Sequence, residues 1–139
     1  MAEKVRDVMT SEPIALQSDA SIQEAAQQMR DCGIGDILVL DGQRIRGMLT
    51  DRDIAVRAVA DGYDPAGTTV GEICSEDVVF VGPEDDADRV VEMMRLRAVR
   101  RIPVVNGASV VGVVSIGDMA MDRDEHSALA DISAAPPNI

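Results

Sequence analysis

Two stretches of this 139-residue chain follow one pattern: residues 5–55 align with residues 70–120 at a constant offset of 65, without a gap. Val5, Met29, Arg30, Ile37, Val39, Gly42, Gly47, Asp53 and Ala55 are identical in both copies. No other feature constrains the fold as much. A domain of roughly 60 residues buries only about 60% of the surface its unfolded chain exposes, so one copy is marginal alone and two can pack together and share a core.

Each copy reads as β-α-β-β-α. A short apolar run, Ile14–Leu16 or Val78–Val81, comes first. A helix follows, with apolar residues at Ile22, Ala25, Ala26 and Met29, or at Ala87, Val90, Val91 and Met94. This i, i+3, i+4, i+7 spacing marks one helical face. Ser21 with Glu24 is a capping-box signal, and Gly33 follows the helix end. Two strands come next, joined through Asp41-Gly42 or Asn106-Gly107, the strongest short hairpin signals. A second helix starts after Thr50 and after Ser115. The expected class is α/β (α+β), with the two repeats packed in pseudo-twofold symmetry into one compact module. Repeat 1 spans 4–62, a Pro- and Gly-containing linker 63–69, repeat 2 70–121, and a C-terminal extension 122–139. In the extension, "DEHSALADI" reads as a short helix and "SAAPPNI" as a loose tail.

Composition narrows the function. The formal charge of −12 argues against nucleic acid and against anionic membranes, both of which select basic surfaces. No apolar stretch approaches the roughly 20 residues that span a bilayer, and "MAEKVRDVMT" has no signal-peptide character, so a cytoplasmic protein is expected. Cys32 and Cys74 fall at unrelated places in the repeat, which argues against a disulfide or a metal site. No paired acid and base, activated nucleophile or metal cluster marks an enzyme, and His126 stands alone in a polar stretch.

The chemistry concentrates where each second helix begins. Thr50-x-x-Asp53 and Ser115-x-x-Asp118 have the form of a capping box, and a cap alone would explain them. The same geometry suits a ribonucleotide. Free N–H groups at a helix N-terminus attract phosphate, the hydroxyl adds a donor, and the carboxylate one turn in accepts from a sugar diol. Gly47 and Gly112, inside strands, leave room for a close backbone or ligand. Arg100 and Arg101, just before the strand "IPVV", are placed to reach an anion.

"VRDVMTSEPIAL", "IRGMLTDRDIA" and "VRRIPVVNGASVVGVVSIGDMA", set in a 65-residue duplication, resemble a tandem pair of cystathionine-β-synthase (CBS) domains, the Bateman module, over roughly residues 4–121. The resemblance implies a regulatory protein that needs no cofactor and binds an adenosine-containing ligand: AMP, ADP, ATP or S-adenosylmethionine. It implies two clefts between the repeats, with Thr50 and Asp53 in one and Ser115 and Asp118 in the other. Thr10, Pro13 and Ile14, with Ser75, Val78 and Val79 in the second copy, match the family's adenine-holding segment. A homodimer that signals to an unknown regulated partner is implied as well. The alternative is a ligand-free dimeric scaffold. The copies also differ: Gly35-Asp36 replaces Arg100-Arg101, and Asp51-Arg52, counted among the candidate site residues, replaces Ile116-Gly117. The two sites are therefore not expected to bind one ligand equally.

Overall fold

The computed structural model describes residues 4–123 and 127–135. It is a mixed α/β fold with two three-stranded sheets, each at the centre of its own unit. One unit comprises residues 14–78 and the other residues 4–13 with 79–135. Sequence repeat and spatial unit therefore do not coincide, because each repeat's leading segment joins the sheet of the other copy.

In the unit of residues 14–78, β2 (Ala15–Gln17) pairs in parallel with β3 (Asp36–Asp41), which pairs antiparallel with β4 (Arg44–Thr50). The β3–β4 connection turns on Gly42, whose φ is 65°, a conformation glycine adopts without steric penalty. Helix α2 (Ile22–Cys32) starts at Ser21, whose Oγ accepts from the Glu24 N–H at 3.1 Å, and stops at Gly33 with φ 65°. It buries Ile22, Ala25 and Met29. Ala26 faces solvent instead, so the apolar stripe is narrower than the spacing predicts. After β4 the chain turns through α3 (Asp51–Asp53) into a π-helical segment, Ile54–Val59. The short α4 (Val70–Ile73), which opens the second repeat in sequence, places Val70, Ile73 and the following Cys74 in this unit's core. Burial pushes the Cys74 thiol's pKa up, and the nearby Glu76 adds to the shift.

The other unit repeats this plan with departures. β5 (Arg101–Asn106) pairs antiparallel with β6 (Ser109–Ser115), and β1 (Thr10–Ser11) lines the far edge of β6. Val5, from α1 (Val5–Val8), joins a core that includes Val90, Ile102, Val104 and Val114. Helix α5 (Ala87–Arg97) buries Ala87 and Val90 but leaves Val91 40% exposed. It ends at Ala98, which holds a left-handed φ of 54° where the first copy has glycine.

The strand expected over Val78–Val81 is reduced to a single parallel bridge between Val81 and Val104. In the first copy, Leu38 N–H donates to Ile14 O (3.1 Å) and Ser18 N–H to Leu40 O (2.8 Å), tying β2 to β3. The matching donors are Pro103 and Pro83, which have no N–H, so both flanking bonds are lost.

Beyond β6, α6 (Ile116–Arg123) packs with α7 (Ala128–Ala134), which is capped by Ser127 Oγ accepting from the Ala130 N–H at 3.0 Å. The helix reaches into "SAAPPNI", two residues past the expected boundary. The rest of that tail from residue 136, and His126, lie outside the described residues.

Candidate functional site

Both candidate motifs form at the C-terminal end of a hairpin strand, where the chain leaves the sheet and enters a helix. Ser115 N–H donates to Asp118 Oδ2 at 2.9 Å, and Asp118 N–H donates to Ser115 Oγ at 3.0 Å. Thr50 N–H donates to Asp53 Oδ2 at 3.0 Å, and Asp53 N–H to Thr50 Oγ1 at 3.1 Å. Each pair is thus a closed capping box that satisfies two backbone donors. The helix start is tied back to the sheet entrance in both units, by Ile116 N–H to Arg100 O (2.8 Å) and Asp51 N–H to Gly35 O (3.0 Å).

The leading segments complete each site crosswise. Thr10 Oγ1 donates to Asp118 Oδ2 at 3.4 Å, so Thr10, from the first repeat, stands beside the second repeat's carboxylate. Ser75 pairs with Met48 in the other unit through Met48 N–H to Ser75 O (3.0 Å) and Ser75 N–H to Met48 O (2.9 Å). Of the candidate residues, Thr10, Pro13, Val79, Arg100, Arg101, Ser115 and Asp118 belong to the unit of 4–13 with 79–135. Ile14, Thr50, Asp51, Arg52, Asp53, Ser75 and Val78 belong to the unit of 14–78. Gly47 and Gly112 mark the crossing strands. A Cβ on Gly112 would lie 2.8 Å from Thr10 O, and one on Gly47 would run into the Ser75 carbonyl. In both cases the space serves a neighbouring backbone.

A pocket of about 360 Å³ opens at the start of α6. Arg100, Arg101, Ser115 and Asp118 line it, together with Ile116, Gly117, Met121 and Ser133. No sequence pattern marks the last four as site residues: Ile116-Gly117 stands out only as a difference between the copies, and Ser133 opens the stretch that reads as a tail.

The electrostatics of the two motifs differ in sign. Arg100 and Arg101 bring two guanidinium groups to the α6 entrance. At the α3 entrance their places are taken by Gly35 and Asp36, and the Asp51 Oδ2 sits 3.0 Å from where a Gly35 Cβ would be. Arg57 Nε lies 3.7 Å from Asp53 Oδ1, whereas the matching position after Asp118 holds a carboxylate, Asp122. Away from both sites, Asp41 and then Glu76 raise the pKa of Arg46, and a hydrogen bond to Glu84 raises that of Arg6.

The family model for the CBS domain matches twice, at residues 5–59 and 70–123. The chain belongs to the CBS-domain family. The chain is 36% identical over 133 residues to the CBS domain-containing protein YhcV of Bacillus subtilis, covering 93% of this chain and 94% of that one. Hypoxic response protein 1 of Mycobacterium tuberculosis is 32% identical, at 93% and 91% coverage. A crystal structure of that protein, with two coordinated zinc ions, superposes with a TM-score of 0.77 over 88% of this chain and 99% of its own. The CBS domain pair of protein MJ0100, solved with 5′-methylthioadenosine and S-adenosyl-L-methionine, is 28% identical with a TM-score of 0.74, covering 84% and 92%. Among the described residues of this CBS-domain chain, no three His, Cys, Asp or Glu side chains are grouped to hold a metal ion. None of the described helices is long and apolar enough to cross a membrane.

Proposed function

We propose that this chain is a non-enzymatic, cytoplasmic regulatory module that binds an adenosine-containing nucleotide and, as a homodimer, passes its occupancy to a partner protein. The observation that carries this reading is the pocket at the start of α6, where Arg100 and Arg101 share a wall with Ser115 and Asp118. Phosphate oxygens accept from the two guanidinium groups, beside the positive end of the α6 dipole. The ribose diol donates to Asp118, and Thr10, Pro13 and Val79 flank the base. The adenosyl ligands of the MJ0100 domain pair support this ligand class.

The site at Thr50 and Asp53, with Ile14, Ser75 and Val78, takes a different member of the class. Asp36 and Asp51 repel a polyphosphate, with Arg52 the nearest compensation in sequence, so this site suits S-adenosylmethionine better than ATP. A ligand at 100 times its dissociation constant stabilises the bound state by about 2.7 kcal/mol, enough to bias a conformational equilibrium that a partner reads.

Calorimetry and thermal shift with AMP, ADP, ATP and S-adenosylmethionine test this. ATP affinity should fall more than tenfold in Arg100→Ala, Arg101→Ala and Asp118→Ala, while Asp53→Ala retains it. The closed capping boxes, complete without any ligand, favour the second reading of a ligand-free dimeric scaffold. If none of the four compounds produces heat or a Tm shift, the scaffold reading replaces the nucleotide one.

A further inference from the structure

Helix α7 comes from outside both repeats, yet it closes one side of the pocket at α6. It packs against α6 while part of its apolar surface stays open: Ala130 is buried, but Leu129 and Ile132 remain 41% and 71% exposed. Its fit to α6 is specific at one point. A Cβ on Gly117 would lie 2.5 Å from Ser133 Oγ and 2.9 Å from Ser133 Cβ, so any side chain at 117 displaces α7. The first repeat carries Arg52 at the matching position and continues into the linker instead of a docked helix. Gly117 thus adapts the second repeat to receive α7, and Ser133 lines the same pocket as Arg100 and Arg101.

We propose that α7 is a ligand-responsive wall of this pocket, with Ser133 as a specificity-determining donor to an anionic phosphate group. The proposal rests on the nucleotide reading above and adds the regulation of that site. A hydroxyl beside two guanidinium groups donates to a phosphate oxygen that the arginines already hold. A phosphate bound through Ser133 holds α7 down, and by linkage a docked α7 raises the affinity for phosphate. A nucleoside without phosphate gains nothing from this contact and leaves the hold on α7 unchanged.

The test is calorimetry with ATP and with adenosine on the full-length protein, combined with hydrogen exchange of the peptide covering α7. ATP should slow exchange across α7, and adenosine should not. Ser133→Ala should weaken ATP binding about tenfold and leave adenosine unchanged, since one hydrogen bond to a charged group is lost. Alanine at this exposed helical position preserves the helix, so the loss would not reflect unfolding. Gly117→Ala should speed α7 exchange without ligand and weaken ATP binding as well. If ATP binds the unmodified protein but leaves α7 exchange unchanged, or binds both variants as tightly, the α7 proposal is overturned and the nucleotide reading stands. If neither ATP nor adenosine binds the unmodified protein, the α7 proposal falls, and AMP, ADP and S-adenosylmethionine decide the nucleotide reading.

Discussion

Gly47 and Gly112 show how one residue type fixes long-range architecture. Glycine inside a strand signals close approach, and that much was legible in the sequence. What approaches was not, because Ser75 and Thr10 are far from these glycines along the chain and no local pattern pairs them. Alanine at either position forces an overlap, and overpacking of this kind costs about 1–3 kcal/mol. Gly47→Ala should be the worse of the two. Its Cβ meets the Ser75 carbonyl and, at 2.9 Å, Cys74 Sγ, whereas the nearest neighbour of Gly112 is Met9 Sδ at 2.7 Å, on a flexible side chain. Urea denaturation should give a lower midpoint for both variants, with Gly47→Ala below Gly112→Ala. Unchanged midpoints would remove the close-packing account. The capping boxes were equally legible, since Thr50-x-x-Asp53 and Ser115-x-x-Asp118 are local motifs read within four residues.

At the scale of the element, the copies diverge through small chemical differences with predictable effects. Two prolines, Pro83 and Pro103, remove the two bonds on either side of the Val81–Val104 bridge, so the pairing at Val78–Val81 stops at that bridge. Both residues are visible in the sequence, but their joint effect requires knowing that they flank one ladder. The first helices diverge in the same way. α2 has a side-chain cap at Ser21 and Gly33 at its C-terminus, while the Asp86 side chain makes no cap bond to α5 and Ala98 sits at φ 54°. An L-residue in the left-handed region costs about 1–2 kcal/mol, partly offset when glycine replaces it by the greater entropy of the unfolded chain. Ala98→Gly should therefore stabilise the protein by about 0.5–1 kcal/mol, and Gly33→Ala should destabilise it by a similar amount. The two Tm changes should have opposite signs. A Tm lowered by Ala98→Gly would mean that the left-handed turn carries no strain.

On the scale of the whole molecule, the duplication predicts two alike units, and the two three-stranded sheets have that likeness. The exchange of leading segments was not legible, because both copies carry the same segment and either pairing satisfies the local pattern. Its energetic consequence is large. Val5 is fully buried in one unit and Val70 in the other, each contributed by the sequence repeat that supplies the rest of the opposite core. Burying a valine side chain contributes about 1.5–3 kcal/mol, and Ile73 and Cys74 add to the same face. A repeat severed within the linker loses these residues together with an edge pairing. That loss is comparable to the 5–15 kcal/mol that stabilises a typical domain. Fragments 1–66 and 67–139 should each lack a cooperative thermal transition by circular dichroism. Mixed in equal amounts, they should recover one, because each supplies the segment the other's sheet lacks. A single fragment that melted cooperatively on its own would show that the exchanged segments are dispensable, and that each repeat carries a sufficient core within its own sequence.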